Sequence, residues 1–114
     1  MTPQSSSDVS TAVKLLAKNP LCHFAVKGGG HSPNAGSANI HNGITIDMSL
    51  MNSVSLSADH SIAQISSGAK WGDVYDHLDA VGGLAVAGGE NGNVGVGGLL
   101  LGGETFNIAI DAWT

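Results

Sequence analysis

Phe24-Ala25-Val26-Lys27-Gly28-Gly29-Gly30-His31-Ser32 decides how this chain is read: an apolar run with the pattern of a buried strand breaks into three consecutive glycines and then a histidine. Three missing Cβ atoms let the main chain take positive φ and bring its N–H groups within hydrogen-bonding distance of a ligand oxygen. Anionic ligands suit such a loop best. His31 adds a side chain that donates, accepts, titrates and is open to covalent attachment.

Upstream, Ser5-Ser6-Ser7-Asp8 offers N-cap candidates and an early acidic residue. Val9, Ala12, Val13, Leu15 and Leu16 then repeat with a helical period until Asn19-Pro20 stops it, predicting a helix of roughly three turns. Leu21 to Val26 follows as a strand feeding the glycine loop. Helix, strand, then glycine loop is the order in which α/β folds place ligands at strand C-termini.

Downstream, Ser32 to Gly43 is rich in Pro, Asn, Ala, Gly and Ser and reads as an ordered loop lying over something. Ile44 to Asp47 alternates as a short strand. Val54 to Ser57 and Ile62 to Ser66, separated by Ala58-Asp59-His60-Ser61, predict a hairpin. Trp71, Val74, Tyr75 and Leu78 share a helical face over Trp71 to Ala80, closed by Val81-Gly82-Gly83. Leu84-Ala85-Val86 leads into a second glycine-rich region, Ala87 to Gly103, too regular for an arbitrary linker. Glu104 to Thr114 has the composition of a further strand.

Composition sets the bounds. A chain of 114 residues with 42% hydrophobic content has one-domain length and enough apolar surface for a core, although 4% aromatics make that core weak. Glycine, at 17 residues, is about twice its usual share, and ten of the 17 lie between Gly82 and Gly103. Four lysines, no arginine and a net charge of −5 argue against nucleic acid as a partner. A glycine loop still holds an anion without formal charge, and Lys27 is the cation placed to help. Cys22 is the sole cysteine, which excludes an intramolecular disulfide. Residues 1–8 lack the features of an export signal and no run approaches the length of a membrane span, so neither membrane association nor export is expected from these residues. His23, His41, His60 and His77 show no metal-ligand spacing, and no metal is expected.

Two common phosphate-binding fingerprints fail here. In a P-loop the lysine follows the glycines, whereas Lys27 precedes them; the dinucleotide pattern starting at Gly95 and Gly97 needs glycine where Leu100 stands. Four segments in order nevertheless form a pattern: Lys27 to Ser32, Gly43 to Asn52, Gly68 to Tyr75 and Val94 to Gly103. Together, over about residues 8 to 103, they closely resemble the FAD-binding (PCMH-type) domain of the p-cresol methylhydroxylase/vanillyl-alcohol oxidase superfamily, with the berberine-bridge-enzyme-like fungal oxidoreductases as the nearest subgroup.

That resemblance implies an α/β (α+β) fold: the N-terminal part of a two-subdomain FAD-binding domain with mixed sheets and flanking helices. It implies FAD as cofactor, with the pyrophosphate on Lys27, Gly28, Gly29, Gly30, His31 and Ser32, and with Val94, Gly95, Gly97 and Gly98 on the other side. His31 matches the histidine that many members bond to the flavin ring. Asn91 stands where some members carry a second, cysteine link, so double attachment is not expected. The organisation expected is a flexible N-terminus over 1–7, a partial FAD-binding domain over 8–103 and a divergent tail over 104–114.

The implied parent oxidises a small organic substrate by hydride transfer to FAD, with oxygen reoxidising the flavin. The family's substrate domain and catalytic base have no counterpart here, so no catalytic residue is assigned. Members normally begin with an export signal and a strand ahead of the first helix, which leaves localisation open. The chain is expected to be a truncated form that binds FAD weakly and turns over nothing alone, since small cores are marginal even when complete. The rival reading is a non-catalytic relic or a nucleotide-binding module.

Overall fold

In the computed structural model, which describes residues 1–37 and 39–102, α1 spans Ser6–Ala17, starting where the serine run predicts. Ser5 is the N-cap, its hydroxyl accepting the Asp8 N–H at 3.1 Å, and the Asp8 carboxylate accepts the Gln4 N–H in return. The helix lays Val9, Ala12, Val13 and Leu16 against Phe24, Ile46, Met48 and Met51. This is the first of two small cores.

Its sheet consists of β1 (Phe24–Lys27) and β2 (Ile44–Asp47), paired in parallel with Phe24 beside Ile44 and Lys27 beside Asp47. β1 begins later than the apolar run suggests. After Pro20 the Leu21 and Cys22 N–H groups donate to the Asn19 side chain and carbonyl, holding Leu21 in a turn with its side chain 86% exposed. A parallel pair needs a long crossover, usually helical; here Gly28 to Gly43 supplies it with no helix or strand among the described residues. On the far edge of β2 the Met1 ammonium donates to the Thr45 carbonyl at 2.8 Å, and the Asp47 N–H donates to the Met1 carbonyl at 2.8 Å. Those two contacts lie within the segment 1–7 read as flexible.

A one-turn 3-10 helix (Met48–Leu50) leads to the expected hairpin, β3 (Val54–Leu56) antiparallel to β4 (Ala63–Ile65). Helix α2 (Trp71–Gly82) packs on it through Trp71, Val74 and Leu78, making the second core with Ala69 and Val96. Gly83, in the left-handed region at φ 68°, ends α2: its N–H reaches the Asp79 and Leu78 carbonyls, and the Leu84 N–H reaches Leu78. Trp71 and Tyr75 stack with centroids 5.8 Å apart, as core aromatics.

The second glycine region departs from a simple loop: Val96–Gly102 is a short helix, α3. Glycine disfavours helix by about 1 kcal/mol per residue relative to alanine. Val96 and Leu99 offset this by packing into the α2 core, while Leu101 is left 92% exposed. Leu84 to Val86 takes no regular structure. The strand considered for Glu104 to Thr114, and with it the tail over 104–114, lies outside the described residues.

Leu78 is 2% exposed at the centre of the larger core. Leu78→Ala should lower unfolding free energy by about 2–5 kcal/mol, read from urea denaturation followed by circular dichroism.

Candidate cofactor-binding cleft

The loop leaving β1 and the segment entering α3 face each other across a cleft of about 390 Å³, lined by Val26 to Pro33, Ser37, Val94, Gly95, Gly98, Leu99 and Gly102. The two walls meet backbone to backbone. A Cβ on Gly29 would stand 2.5 Å from the Gly95 nitrogen, and one on Gly95 would collide with the Gly29 nitrogen in turn. Of the three loop glycines only Gly30 uses positive φ, at 66°. Gly29 is there for close approach instead.

Sequence-predicted site residues are mostly brought together here. Lys27, Gly28, Gly29, Gly30, His31 and Ser32 form one wall, and Val94, Gly95 and Gly98 part of the other. Gly97 does not line the cleft: its N–H donates to the Ser67 carbonyl at 3.3 Å, and a Cβ there would lie 2.7 Å from that oxygen. The imidazole of His31 is exposed at the rim. The N–H groups of Gly29, Gly30 and His31 find no acceptor among the described residues, so the loop carries three unspent donors, that of Gly29 lying against Gly95. Such donors, with no Cβ in front of them at Gly29 and Gly30, fit a diphosphate.

Lys27 behaves differently from a free counter-charge. Its Nζ donates to Asp47 Oδ2 at 3.1 Å, directly across the strand pair. Hydrogen bonds from Ser49, first its backbone N–H and then its hydroxyl, together with the Lys27 ammonium, hold the Asp47 carboxyl below the ordinary value of 3.8. Asp47 escapes the sequence reading because its place beside Lys27 depends on strand register; Leu99 and Gly102 escape it because no local pattern marks Val96–Gly102 as helix.

The second wall is fixed by α2. A helix start leaves backbone donors unsatisfied, and Lys70 at the N-cap supplies no side-chain acceptor for them. Instead the Trp71 N–H donates to the Val94 carbonyl at 3.0 Å and the Gly72 N–H to the Gly92 carbonyl at 2.9 Å. The Val96 N–H returns a bond to Ala69, and Tyr75 Oη donates to the Gly89 carbonyl at 2.8 Å. Burial pushes the Tyr75 hydroxyl pKa up. Asn91 is exposed, with its side-chain oxygen accepting the Asn93 N–H, and Glu90 is exposed as well. Among the described residues no three His, Cys, Asp or Glu side chains are placed to hold a metal, and no helix is long and apolar enough to cross a membrane.

The family model described as FAD binding domain matches residues 1–105, and the chain belongs to that family, in its PCMH-type, berberine-bridge-enzyme-like branch of FAD-linked oxidoreductases. The chain is 43% identical over 99 residues to the FAD-dependent monooxygenase tpcD of Cochliobolus heterostrophus, covering 87% of this chain and 19% of that protein. It is 44% identical over 106 residues to the FAD-dependent monooxygenase FUP4 of Fusarium proliferatum, covering 93% and 20%. Among solved structures it is similar to aclacinomycin oxidoreductase, with a TM-score of 0.78 at 28% identity over 91% of this chain and 21% of that one. The glucooligosaccharide oxidase of Acremonium strictum, which carries a 6-S-cysteinyl, 8α-N1-histidyl FAD, gives 0.75 at 30% over 89% and 21%. The chain thus spans about a fifth of the length of the relatives it matches.

Two outcomes are expected. Gly95→Ala should destabilise the fold by about 1–3 kcal/mol through overpacking; Gly98→Ala, with nothing within 4 Å of the new methyl, should be neutral or stabilising in the ligand-free protein. Thermal melts of the two variants check this. Because the folded-state pKa of Asp47 is lowered, its contribution to stability is complete above about 3.8 and lost as pH falls through the folded value. Acid unfolding of Asp47→Asn should therefore have a shallower dependence on pH in that window than the parent, by circular dichroism.

Proposed function

We propose that residues 8–103 form the diphosphate-holding part of the FAD domain of an oxidoreductase that oxidises a small organic substrate. The observation that carries this reading is the meeting of two glycine segments with no side chain between them, beside three unspent N–H donors. FAD bound there would supply the redox chemistry, accepting a hydride from the substrate and passing electrons on to oxygen. The chain's own residues bind and orient. Gly29, Gly30 and His31 offer backbone N–H groups to the diphosphate, Gly28 keeps the loop clear of side chains, the His31 imidazole at the rim is the candidate tether to the flavin ring, and Ser32 closes the loop. Val94, Gly95 and Gly98 form the opposing wall, with Gly97 acting through its bond to Ser67. The histidyl FAD named for the Acremonium strictum oxidase supports His31 as tether. Asn91 has no thiol for a second link.

A fluorescence titration with FAD tests the reading. Quenching of flavin emission is expected, with weak affinity and no substrate turnover from these residues alone. After incubation and acid precipitation, flavin retained by the parent should be absent from His31→Ala. No quenching at saturating FAD, equal competition by ADP with no flavin preference, or equal acid-stable flavin in His31→Ala would sink the corresponding part.

A further inference from the structure

We propose that Asp47 is a positioning residue for the glycine loop and acts through Lys27: by holding the lysine ammonium on β2 it keeps the lysine stem beneath Gly30 and so sets where the first wall of the cleft stands. This rests on the reading of the cleft as the FAD site.

Lys27 and Asp47 are register partners at the C-terminal ends of β1 and β2, and paired residues of a parallel ladder project to the same side. Asp47 is anchored independently of the lysine. Its own N–H donates to the Met1 carbonyl at 2.8 Å and its Oδ1 accepts the Ser49 N–H at 3.0 Å, leaving Oδ2 for Lys27 at 3.1 Å. From that anchor the lysine stem runs under the loop. Lys27 Cε lies 2.9 Å, and Cδ 3.7 Å, from the point where a Cβ on Gly30 would stand. Gly30 makes its positive-φ turn around this stem, and His31 follows it directly. The side chains of Lys27 and Asp47 are 37% and 26% exposed, so the pair is partly shielded from water.

Two roles for Lys27 then predict opposite signs. If the ammonium were a direct counter-charge for the diphosphate, Asp47 would compete with the ligand, and removing its charge would tighten FAD binding. If the ammonium is a fastening, removing the charge of Asp47 frees the stem, loosens the turn at Gly30 and weakens binding. The geometry points to the second, because the ammonium is engaged and the contact with the loop is made by the stem.

The test combines FAD titration with hydrogen exchange of the ligand-free protein at residues 28–32. Asp47→Asn should raise the FAD dissociation constant about three- to tenfold, the scale of one partly exposed charge-assisted bond, and speed exchange in the loop. Asp47→Glu should restore part of both. Lys27→Met, which keeps an apolar stem without the ammonium, should match Asp47→Asn, and the double variant should be no worse than either single one. Unchanged or tighter binding by folded Asp47→Asn, or unchanged loop exchange, overturns the proposal. Should Asp47→Asn fail to fold, loop exchange in Lys27→Met decides. A parent protein that binds no FAD overturns the reading of the cleft instead, while exchange still decides the role of Asp47.

Discussion

The approach of Gly29 to Gly95 is the constraint on which the rest of the molecule depends. Main chains come that close only where neither residue carries a Cβ, and here the collision would be mutual. The contact joins the two halves of the fold. Gly29 belongs to the loop that leaves the α1/β1/β2 core, and Gly95 to the segment built on α2 and the hairpin. Two small cores, each with only a few buried side chains, are thereby joined at the cleft. The cleft wall and the junction are the same atoms.

Electrostatics follow from this geometry. A chain with a net charge of −5 and four lysines has little cationic side-chain potential to offer an anion. Its one lysine in the cleft is already paired with Asp47. What the loop itself can offer an anion is oriented peptide dipoles, which carry no mobile charge and keep their direction only while the loop keeps its shape. Beside that loop the lysine stem lies close to the turn at Gly30, with its ammonium held by Asp47.

Much of this architecture was legible in the residues. The serine cap and the spacing of Val9, Ala12, Val13 and Leu16 mark α1, the alternation around Ala58 to Ser61 marks the hairpin, and Trp71, Val74 and Leu78 with Gly83 mark α2. The glycine loop with His31 was legible as a candidate site because its composition is extreme. What escaped depends on contacts distant in sequence. α3 forms against glycine's preference because Val96 and Leu99 find the α2 core, and no local pattern announces that. The start of β1 is moved by the Asn19 turn, and the partnership of Lys27 with Asp47 appears only once register is set. Gly97, one of a run of similar glycines, could not be told from its neighbours until Ser67 was seen against it.

The carbonyls of Gly92 and Val94 also cap the first turn of α2, and this bears on how the chain tolerates change. A substitution in this segment is felt twice, once in the shape of the cleft and once in the start of a helix that carries most of the larger core. Drift at the cleft's second wall is therefore constrained by folding. Whatever the cleft holds, the main chain from Gly92 to Val94 keeps its course for as long as the helix keeps its start.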